Sequence, residues 1–594
     1  MIPERLSRLR REMEQRHIDV YVVPTADFHE SEYVGAHFKA RSYITGFTGS
    51  AGTAIITMTE AGLWTDARYF LQAKHQLENT GVTLYRMGEE GVPTVDEFVK
   101  DRLKEGGCLG FDGRVVNGTW GGRLEKIAAE KNVSMHVTED LIDLIWEDRP
   151  ALSKQPLFIL EEKYSGKSTA DKIGDLRKAM KENGADVHIL TSLYDIAWLL
   201  NIRGNDIDYV PVVLSYLVLN ETECIWFLQE EVVDDKIRAY LEENHITTKP
   251  YDAIYDYVPE IPADAVVLMN RGTVNYRIVN RLDKAIKVVD KPNPTELMKA
   301  VKNKTEVDNT RAAHVKDGVA FTKFMYWLKT NIGKIPMTEI SASDYLEARR
   351  REQDNFIELS FNTICAYGAN AAMMHYAATP ESDAELKPEG FLLVDSGGHE
   401  GTTDITRTMA LGPITDEMRL HFTTVCRSNM NLAHAKFLYG CTGLNLDILS
   451  RGPLWEMGID YKCGTGHGVG YVLNVHEGPN GFRWRVVPER HDNGVLEEGM
   501  ITTDEPGVYL EGKYGIRTEN ELVCHKAEKN EYGQFMEFEN ITYAPIDLDA
   551  IDPDLLSARE KKMLNDYHKM VYDTISPYMT AEENEWLKRY TRAI

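Results

Sequence analysis

Five acidic or imidazole side chains in the second half of the sequence lie in settings that suit metal binding. These residues are Asp395, Asp404, His467, Glu505 and Glu519. Asp395 follows an apolar run and precedes Ser-Gly-Gly, so we expect its carboxylate where a strand ends and the backbone turns. Period-two alternation places Asp404 on one strand face with Thr406. Two carboxylates on neighbouring strands can therefore face each other, and His467 lies between glycines that allow close backbone approach.

Each of these residues also has an ordinary structural interpretation. An Asp before Ser-Gly-Gly is typical of a turn or cap, and a Glu before Pro-Gly is typical of a surface turn. A strand Asp commonly lies on an exposed face. No spacing rule joins five such separated positions, so residue types and spacing alone leave the metal hypothesis open.

The elements that must position these side chains are mostly short strands. Apolar β-rich runs, punctuated by Gly and Pro, are predicted at 391–394, 402–409, 500–503 and 514–523. A break at 291–294 precedes a helix that is predicted to begin at Thr305. Two later helical stretches, 557–570 and 581–590, carry too little apolar material to fold alone. We therefore expect them to dock on the preceding domain.

The first half of the sequence contains one pattern twice. A helical apolar stripe at 6–13 precedes the apolar run 20–23, and a second stripe at 173–180 precedes the run 187–190. A proline-containing linker is predicted at 146–156. These patterns predict two related α/β units.

Composition and charge indicate a globular, strongly acidic protein. Among 594 residues, 67 Lys and Arg oppose 93 Asp and Glu, a net charge of −26. This charge repels phosphate backbones and anionic membranes, so we expect neither a nucleic-acid partner nor a membrane partner. Charged residues at 5–16 precede the first apolar run, unlike a signal peptide, and cytoplasmic localisation is expected. The seven cysteines are scattered, so reduced thiols are expected.

The order Asp, Asp, His, Glu, Glu resembles the ligand set of the pita-bread metallopeptidases, which include methionine aminopeptidases, prolidases and Xaa-Pro aminopeptidases. Within that group, five motifs are similar to the long, three-domain Xaa-Pro aminopeptidases: DSGG at 395–398, TDITRT at 403–408, GTGHGVG at 464–470, VHEGP at 475–479 and DEPGVY at 504–509. Three earlier motifs resemble the first two domains of that family: GFTGSAG at 46–52, WTDARYF at 64–70 and DIAWLLNIRG at 195–204. The resemblance covers nearly the whole chain.

This resemblance implies a mixed fold, α/β and α+β, with two creatinase-like N-terminal α/β domains followed by a C-terminal pita-bread catalytic domain. We place creatinase-like domain I at 1–152, domain II at 153–305 and the catalytic domain at 306–545. A helical extension at 546–594 is expected to dock on the catalytic domain. The resemblance also implies a homodimer.

Carried over position by position, the resemblance implies ligands for two divalent metal ions per subunit. The implied ligands are Asp395, Asp404, His467, Glu505 and Glu519, with Asp404 and Glu519 as bridging carboxylates. Four carboxylates and one imidazole suit Mn²⁺, although Zn²⁺ or Co²⁺ can also occupy such ligands. Two metals can bind a shared water, lower its pKa and polarise the carbonyl that it attacks. Glu505 is the implied proton acceptor.

Further positions match family residues that contact the substrate. His375 and His476 match positions that bind substrate and stabilise the tetrahedral intermediate, and His467 is included among the substrate contacts. Arg68 matches a position implicated in peptide binding. The family commonly places a histidine four residues before the ligand histidine, where this chain has Cys463. A thiol is a weak donor and cannot become a cation, so that auxiliary proton role is left open.

The activity implied by the resemblance is release of the N-terminal residue from peptides with proline at the second position, by attack of a water or hydroxide bound to two metals. Alternatives are a prolidase-type Xaa-Pro dipeptidase, a creatinase-like amidinohydrolase that uses no metal, and a non-catalytic peptide-binding module. Intact ligand positions disfavour the last two, and prolidases usually lack the second N-terminal module. The native metal and the preferred first residue stay open.

Overall fold

The chain divides into two compact units, Met1–Glu296 and Leu297–Ile594. The computed structural model describes residues 1–487 and 490–594. Within those ranges, no helix combines the length and the apolar character that a membrane span requires.

The first half of the N-terminal unit is a six-stranded sheet flanked by helices. Its strands are β1 (Val20–Pro24), β2 (Thr53–Thr57), β3 (Ala61–Thr65), β4 (Thr83–Arg86), β5 (Cys108–Gly110) and β6 (Ser134–His136). Its helices are α1 (Ile2–Gln15), α2 (Ala40–Thr45), α3 (Phe70–Gln76), α4 (Val95–Arg102) and α5 (Gly118–Lys131). The sheet order is β4-β3-β2-β1-β5-β6, with β1 antiparallel to β2 and parallel to β5. Every residue of β1 is buried, as its continuous apolar run predicts.

The second half of this unit repeats the same topology. Its strands are β7 (Phe158–Ile159), β8 (Val187–Leu190), β9 (Ile202–Arg203), β10 (Ser215–Asn220), β11 (Cys224–Leu228), β12 (Ile246–Pro250), β13 (Val266–Met269) and β14 (Lys287–Asp290). The helices between residues 162 and 300 are α6 (Glu162–Ser165), α7 (Thr169–Glu182), α8 (Leu193–Leu200), α9 (Asp235–Glu243), α10 (Ile254–Tyr257), α11 (Tyr276–Val279) and α12 (Pro294–Ala300). The sheet order is β12-β11-β10-β8-β13-β14, with β8 antiparallel to β10 and parallel to β13, while β7 and β9 pair with each other. The predicted pair of related α/β units is confirmed.

The C-terminal unit combines three sheets with longer helices. Its strands are β15 (Ile364–Tyr367), β16 (Phe391–Ser396), β17 (Ile405–Ala410), β18 (Lys436–Leu438), β19 (Gly466–Gly468), β20 (Glu477–Phe482), β21 (Ile501–Asp504), β22 (Gly507–Leu510), β23 (Tyr514–Arg517), β24 (Asn520–Asn530) and β25 (Gly533–Asn540). Its helices are α13 (Lys304–Asn331), α14 (Glu339–Arg351), α15 (Asp416–Ala433), α16 (Gly443–Trp455), α17 (Ala558–Ile575) and α18 (Ala581–Tyr590). The sheets have the orders β15-β16-β17, β18-β25-β24-β21-β19-β20 and β22-β23.

The predicted helix start near Thr305 is confirmed. Asn303 accepts a hydrogen bond from the backbone N–H of Glu306, and the Glu306 side chain accepts one from the backbone N–H of Asn303. This capping box satisfies two donors that the first helical turn leaves open, and α13 begins at Lys304.

Two features of this unit differ from the sequence predictions. Helices α15 and α16 lie inside an interval that was predicted to be dominated by short strands. Thr415 accepts from the N–H of Met418 and is followed by two acidic residues, so a helix start signal was present. The predicted strand 514–523 is also wrong as one element. It is interrupted between β23 and β24, at Thr518 and Glu519.

The C-terminal helices dock on this unit, as expected from their composition. Leu564 and Val571 of α17 and Leu587 of α18 are fully buried. They share an apolar core with Phe422 of α15 and Val319 of α13. Burying such side chains stabilises each by roughly 1.5–3 kcal/mol relative to leaving them exposed, which the extension cannot gain alone.

Candidate metal centre

The antiparallel pair β16 and β17 brings two buried carboxylates to one end of a small sheet. Asp395 pairs with Thr406 in the strand register, and Asp404 comes directly before β17. Asp395 is 7% exposed and Asp404 is 4% exposed. A Cβ atom at Gly397 would lie 1.7 Å from the carbonyl oxygen of Thr403, so only glycine permits this connection. The two carboxylates are therefore carried by paired strands and the connection between them, close enough for the charge of Asp395 to act on Asp404.

The interruption between β23 and β24 places Glu519 against the start of β17. The backbone N–H of Glu519 donates to the carbonyl of Thr406 at 3.1 Å. The Thr406 hydroxyl donates to Oε2 of Glu519 at 2.6 Å. Glu519 is 1% exposed. Thr406 therefore holds both the backbone and the carboxylate of this glutamate.

Strands β19 and β21 supply the imidazole and a fourth carboxylate. The Thr503 hydroxyl accepts from the backbone N–H of His467 at 3.0 Å and donates to Oε1 of Glu505 at 3.1 Å. The backbone N–H of Glu505 donates to the carbonyl of Thr465 at 2.7 Å. His467 and Glu505 are thus fixed by one threonine of β21, the strand that pairs with β19 and directly precedes Glu505.

The imidazole of His467 has a defined orientation. Its Nδ1 lies 2.9 Å from the carbonyl oxygen of Gly468. Because a carbonyl only accepts hydrogen bonds, Nδ1 carries the proton and donates it. Nε2 then faces Oδ2 of Asp404 at 3.4 Å and Oε1 of Glu505 at 3.3 Å. A neutral imidazole in this tautomer presents its lone pair toward the carboxylates, as metal ligation requires.

The donor atoms converge. One ligand atom from each of Asp404, His467 and Glu519 lies within 4.8 Å of the others. Asp395 and Glu505 add neighbouring negative charge, which raises the pKa of Asp404 beyond the effect of its burial. Carboxylates with one imidazole form a donor set suited to hard or borderline divalent cations.

The electrostatics of the cluster fit bound cations. Burial, followed by the charge of Asp395, raises the pKa of Asp404 well above its usual range. Burial, followed by the charge of Asp404, does the same for Glu519. Oδ1 of Asp395 and Oδ1 of Asp404 are buried without a hydrogen-bond partner. Divalent ions would supply the positive charge and the coordination that these oxygens need.

Arg517 is a component of the site that the sequence analysis missed. Its guanidinium donates to Oδ2 of Asp395, to the Thr406 hydroxyl at 3.0 Å and to the Tyr509 hydroxyl at 2.7 Å. The side chain is 3% exposed. Arg517 comes two residues before Glu519, so strand alternation would have placed the two side chains on one face.

The other predicted site residues have distinct positions. The ring of His476 lies edge-on to the ring of His467, with centroids 4.2 Å apart. His375 is half-buried and follows Met374, whose carbonyl accepts from Arg517 at 3.5 Å. The His476 ring therefore adjoins a predicted ligand, whereas for His375 it is the preceding carbonyl that lies beside Arg517. Arg68 lies in the N-terminal unit, where Asp66 holds its guanidinium through two contacts of 2.8 Å.

Comparisons with known proteins account for the whole chain. Models of the creatinase/prolidase N-terminal domain match residues 5–145 and 148–306. Metallopeptidase family M24 matches residues 308–526, and the C-terminal region of this peptidase family matches 534–594. A Paracoccidioides brasiliensis protein named "Probable Xaa-Pro aminopeptidase P" is 38% identical over 614 residues, covering 100% of this chain and 99% of its own length.

The chain belongs to the Xaa-Pro aminopeptidase P family. Aminopeptidase P1 of Arabidopsis thaliana is 36% identical and covers 97% of each chain. The crystal structure of the X-prolyl aminopeptidase of Caenorhabditis elegans, described as a cytosolic enzyme with a di-nuclear active site, matches with a TM-score of 0.94 and 32% identity over 100% of both chains. The resemblance, the mixed fold and the metallopeptidase class predicted from the sequence are confirmed.

Prolidases share the fold with this Xaa-Pro aminopeptidase P family member but not its length. The Xaa-Pro dipeptidase of Bacillus anthracis matches with a TM-score of 0.52 and 23% identity, covering 64% of this chain and 99% of its own. The likeness to this dipeptidase therefore stops short of the full chain, which the Xaa-Pro aminopeptidase P relatives cover.

Proposed function

We propose that this chain releases the N-terminal residue from peptides that carry proline at the second position. The observation that carries the proposal is the convergence of Asp404, His467 and Glu519 ligand atoms within 4.8 Å, in a chain of the Xaa-Pro aminopeptidase P family. Asp395 and Glu505 complete the proposed set of ligands for two divalent ions.

Mn²⁺ is the proposed metal, because four of the five donors are carboxylates, although Zn²⁺ and Co²⁺ also bind such sets. Two divalent ions bound here would polarise the scissile carbonyl and acidify the attacking water. The bridging role is proposed for the buried carboxylates of Asp404 and Glu519. Burial raises the pKa of both carboxyl groups well above the usual range, and bound cations would supply the positive charge that favours their ionised forms, which supports their use as ligands.

Three side chains of the protein are proposed to handle protons and charge. The Glu505 carboxylate is 23% exposed and is oriented by Thr503, so it can reach the attacking water and accept its proton. His476 stands beside the ligand His467, where its ring can donate toward oxygen charge that develops on the substrate. His375 is proposed to contribute a second donor from its turn beside Met374.

Proline selectivity follows from the chemistry of the scissile bond. An Xaa-Pro amide has no N–H, so a pocket shaped around the pyrrolidine ring needs no acceptor for it. Burying the unpaired N–H of an ordinary amide costs about 1–3 kcal/mol, roughly a ten- to hundredfold penalty in rate. The family resemblance further supports recognition of the free amino terminus of the substrate.

The test uses the Mn²⁺-loaded protein and peptides of two to nine residues, with products identified by mass. Cleavage of Arg-Pro-Pro peptides should greatly exceed cleavage of Arg-Ala-Pro peptides, and acetylation of the amino terminus should weaken it sharply. Comparable rates within either pair would contradict the proposal. Cleavage of dipeptides alone would favour the prolidase-type alternative.

A homodimer is proposed from the family resemblance and from an exposed apolar face of α16. Leu444, Ile448 and Trp455 are 38%, 49% and 42% exposed. Their spacing of four and seven residues places them on one side of the helix. Trp484 extends this face, with its ring centroid 5.8 Å from that of Trp455. An apolar face of this kind is typical of a surface that another protein chain covers.

The remaining assignments also stand as proposals. Cytoplasmic localisation is supported by the Caenorhabditis elegans neighbour, which is described as cytosolic. The domain division at 152, 305 and 545 stays a prediction. Arg68 is proposed to contact peptide substrate, with Asp66 holding its guanidinium in place.

A further inference from the structure

Arg407 is a buried cation behind the segment that carries Glu519. Its side chain is 1% exposed. Nη1 donates to the carbonyl of Thr406 at 2.8 Å and to the carbonyl of Glu519 at 2.6 Å. Nη2 donates to Oδ1 of Asn520 at 2.8 Å. The guanidinium therefore fixes the backbone of Glu519 and with it the position from which the carboxylate side chain extends.

The same guanidinium also contacts the C-terminal part of the chain. Nε donates to the carbonyl of Pro545 at 3.0 Å, and Nη2 donates to the carbonyl of Ala544 at 3.0 Å. Nη2 also donates to the hydroxyl of Tyr567 in α17 at 2.6 Å. The Tyr567 hydroxyl in turn donates to the carbonyl of Ala544 at 2.7 Å. Six acceptors thus surround the five N–H donors of Arg407, with three acceptors around the two hydrogens of Nη2.

We propose that the C-terminal extension is a working part of the metal site, with Tyr567 as a positioning residue that acts through Arg407 on Glu519. This inference rests on the proposed role of Glu519 as a metal ligand. A ligand whose backbone is held from behind loses little conformational freedom when a metal binds, and groups behind a ligand set its orientation. Tyr567 supplies a fixed acceptor for a buried charge, which makes that support rigid.

The experiment compares two conservative variants of the extension. Tyr567→Phe removes the hydroxyl that contacts Arg407 and keeps the ring that fills the core. Tyr590→Phe is the matched control, because the Tyr590 hydroxyl in α18 donates at 2.6 Å to Asp549 rather than contacting Arg407. Mn²⁺ affinity of the full-length, metal-free protein is measured by competition with a fluorescent chelator. Urea unfolding of the metal-free protein gives the stability of each variant.

We expect Tyr567→Phe to weaken Mn²⁺ binding about tenfold, at the lower end of what groups behind metal ligands contribute. Tyr590→Phe should lower stability without changing Mn²⁺ affinity. Arg407→Lys should weaken Mn²⁺ binding more than Tyr567→Phe does. If Tyr567→Phe does not fold, the Mn²⁺ affinity of Arg407→Lys tests the proposal instead. Wild-type affinity in the Tyr567 variant, or an equal loss in the Tyr590 control, would overturn the proposal.

Glu519→Ala separates this proposal from the proposed function. If Glu519→Ala retains wild-type Mn²⁺ affinity, the ligand assignment itself fails. If Glu519→Ala loses affinity while Tyr567→Phe does not, only the positioning role of Tyr567 fails.

Discussion

The hydroxyl of Thr406 offers a direct test of how the protein prepares its metal ligands. It donates to Oε2 of Glu519 at 2.6 Å and accepts from Nε of Arg517 at 3.0 Å, and Thr406 is fully buried. Thr406→Val keeps the shape and removes both hydrogen bonds. A hydrogen bond to a charged group contributes about 1.5–3 kcal/mol. Because about 1.4 kcal/mol corresponds to a factor of ten, Mn²⁺ affinity should fall roughly ten- to hundredfold.

Thr408→Val is the matched control for this variant. Thr408 lies two positions along the same strand and is equally buried, but its hydroxyl exchanges hydrogen bonds with the backbone of Arg517, at 3.0 and 3.1 Å. This control should lose stability in urea and lose much less Mn²⁺ affinity than Thr406→Val, because its hydroxyl contacts the backbone of Arg517 and no ligand carboxylate. Chelator competition measures affinity in both variants. Equal Mn²⁺ affinities for Thr406→Val and the wild type would refute the view that this hydroxyl orients Glu519.

Three further predictions concern other parts of the molecule. Burial raises the pKa of Cys463 to about 12, so its thiol stays neutral and does not act as a nucleophile. Cys463→Ser should therefore retain most hydrolysis. Trapping of a thioester on Cys463 would contradict this. Burial lowers the pKa of His29 to about 4, below its unfolded value of about 6.5, so stability present above pH 6.5 should be lost as the pH falls toward 4. His29→Gln should flatten that dependence in urea unfolding, and an unchanged profile would exclude His29 as its cause. For the proposed homodimer, sedimentation should give a mass of about twice 67.5 kDa. Trp484→Glu should produce monomers. The control variant Tyr532→Glu, at a side chain that is 74% exposed, should stay dimeric.

Local patterns in the sequence determined the elements and the faces of the side chains they present. The apolar run at 391–394 predicted β16, and alternation placed Asp404 and Thr406 on one face. Both side chains act on Glu519 from that face, Thr406 through a hydrogen bond and Asp404 through its charge. The repeated helix-strand pattern predicted the duplication of the N-terminal sheet. These results follow from short-range sterics and periodicity, which act within a few residues.

The tertiary structure alone decided which supporting groups surround the ligands that the sequence resemblance implied. The sequence resemblance named Glu519, but the interruption between β23 and β24 that exposes its carboxylate to Thr406 was predicted as continuous strand. Arg407 reaches Tyr567, 160 positions along the chain, and Arg517 reaches Asp395 across 122 positions. Such contacts depend on which strands pair and which helices cover them. Buried charges select those arrangements because each must find partners once it leaves water, and no local pattern encodes that requirement.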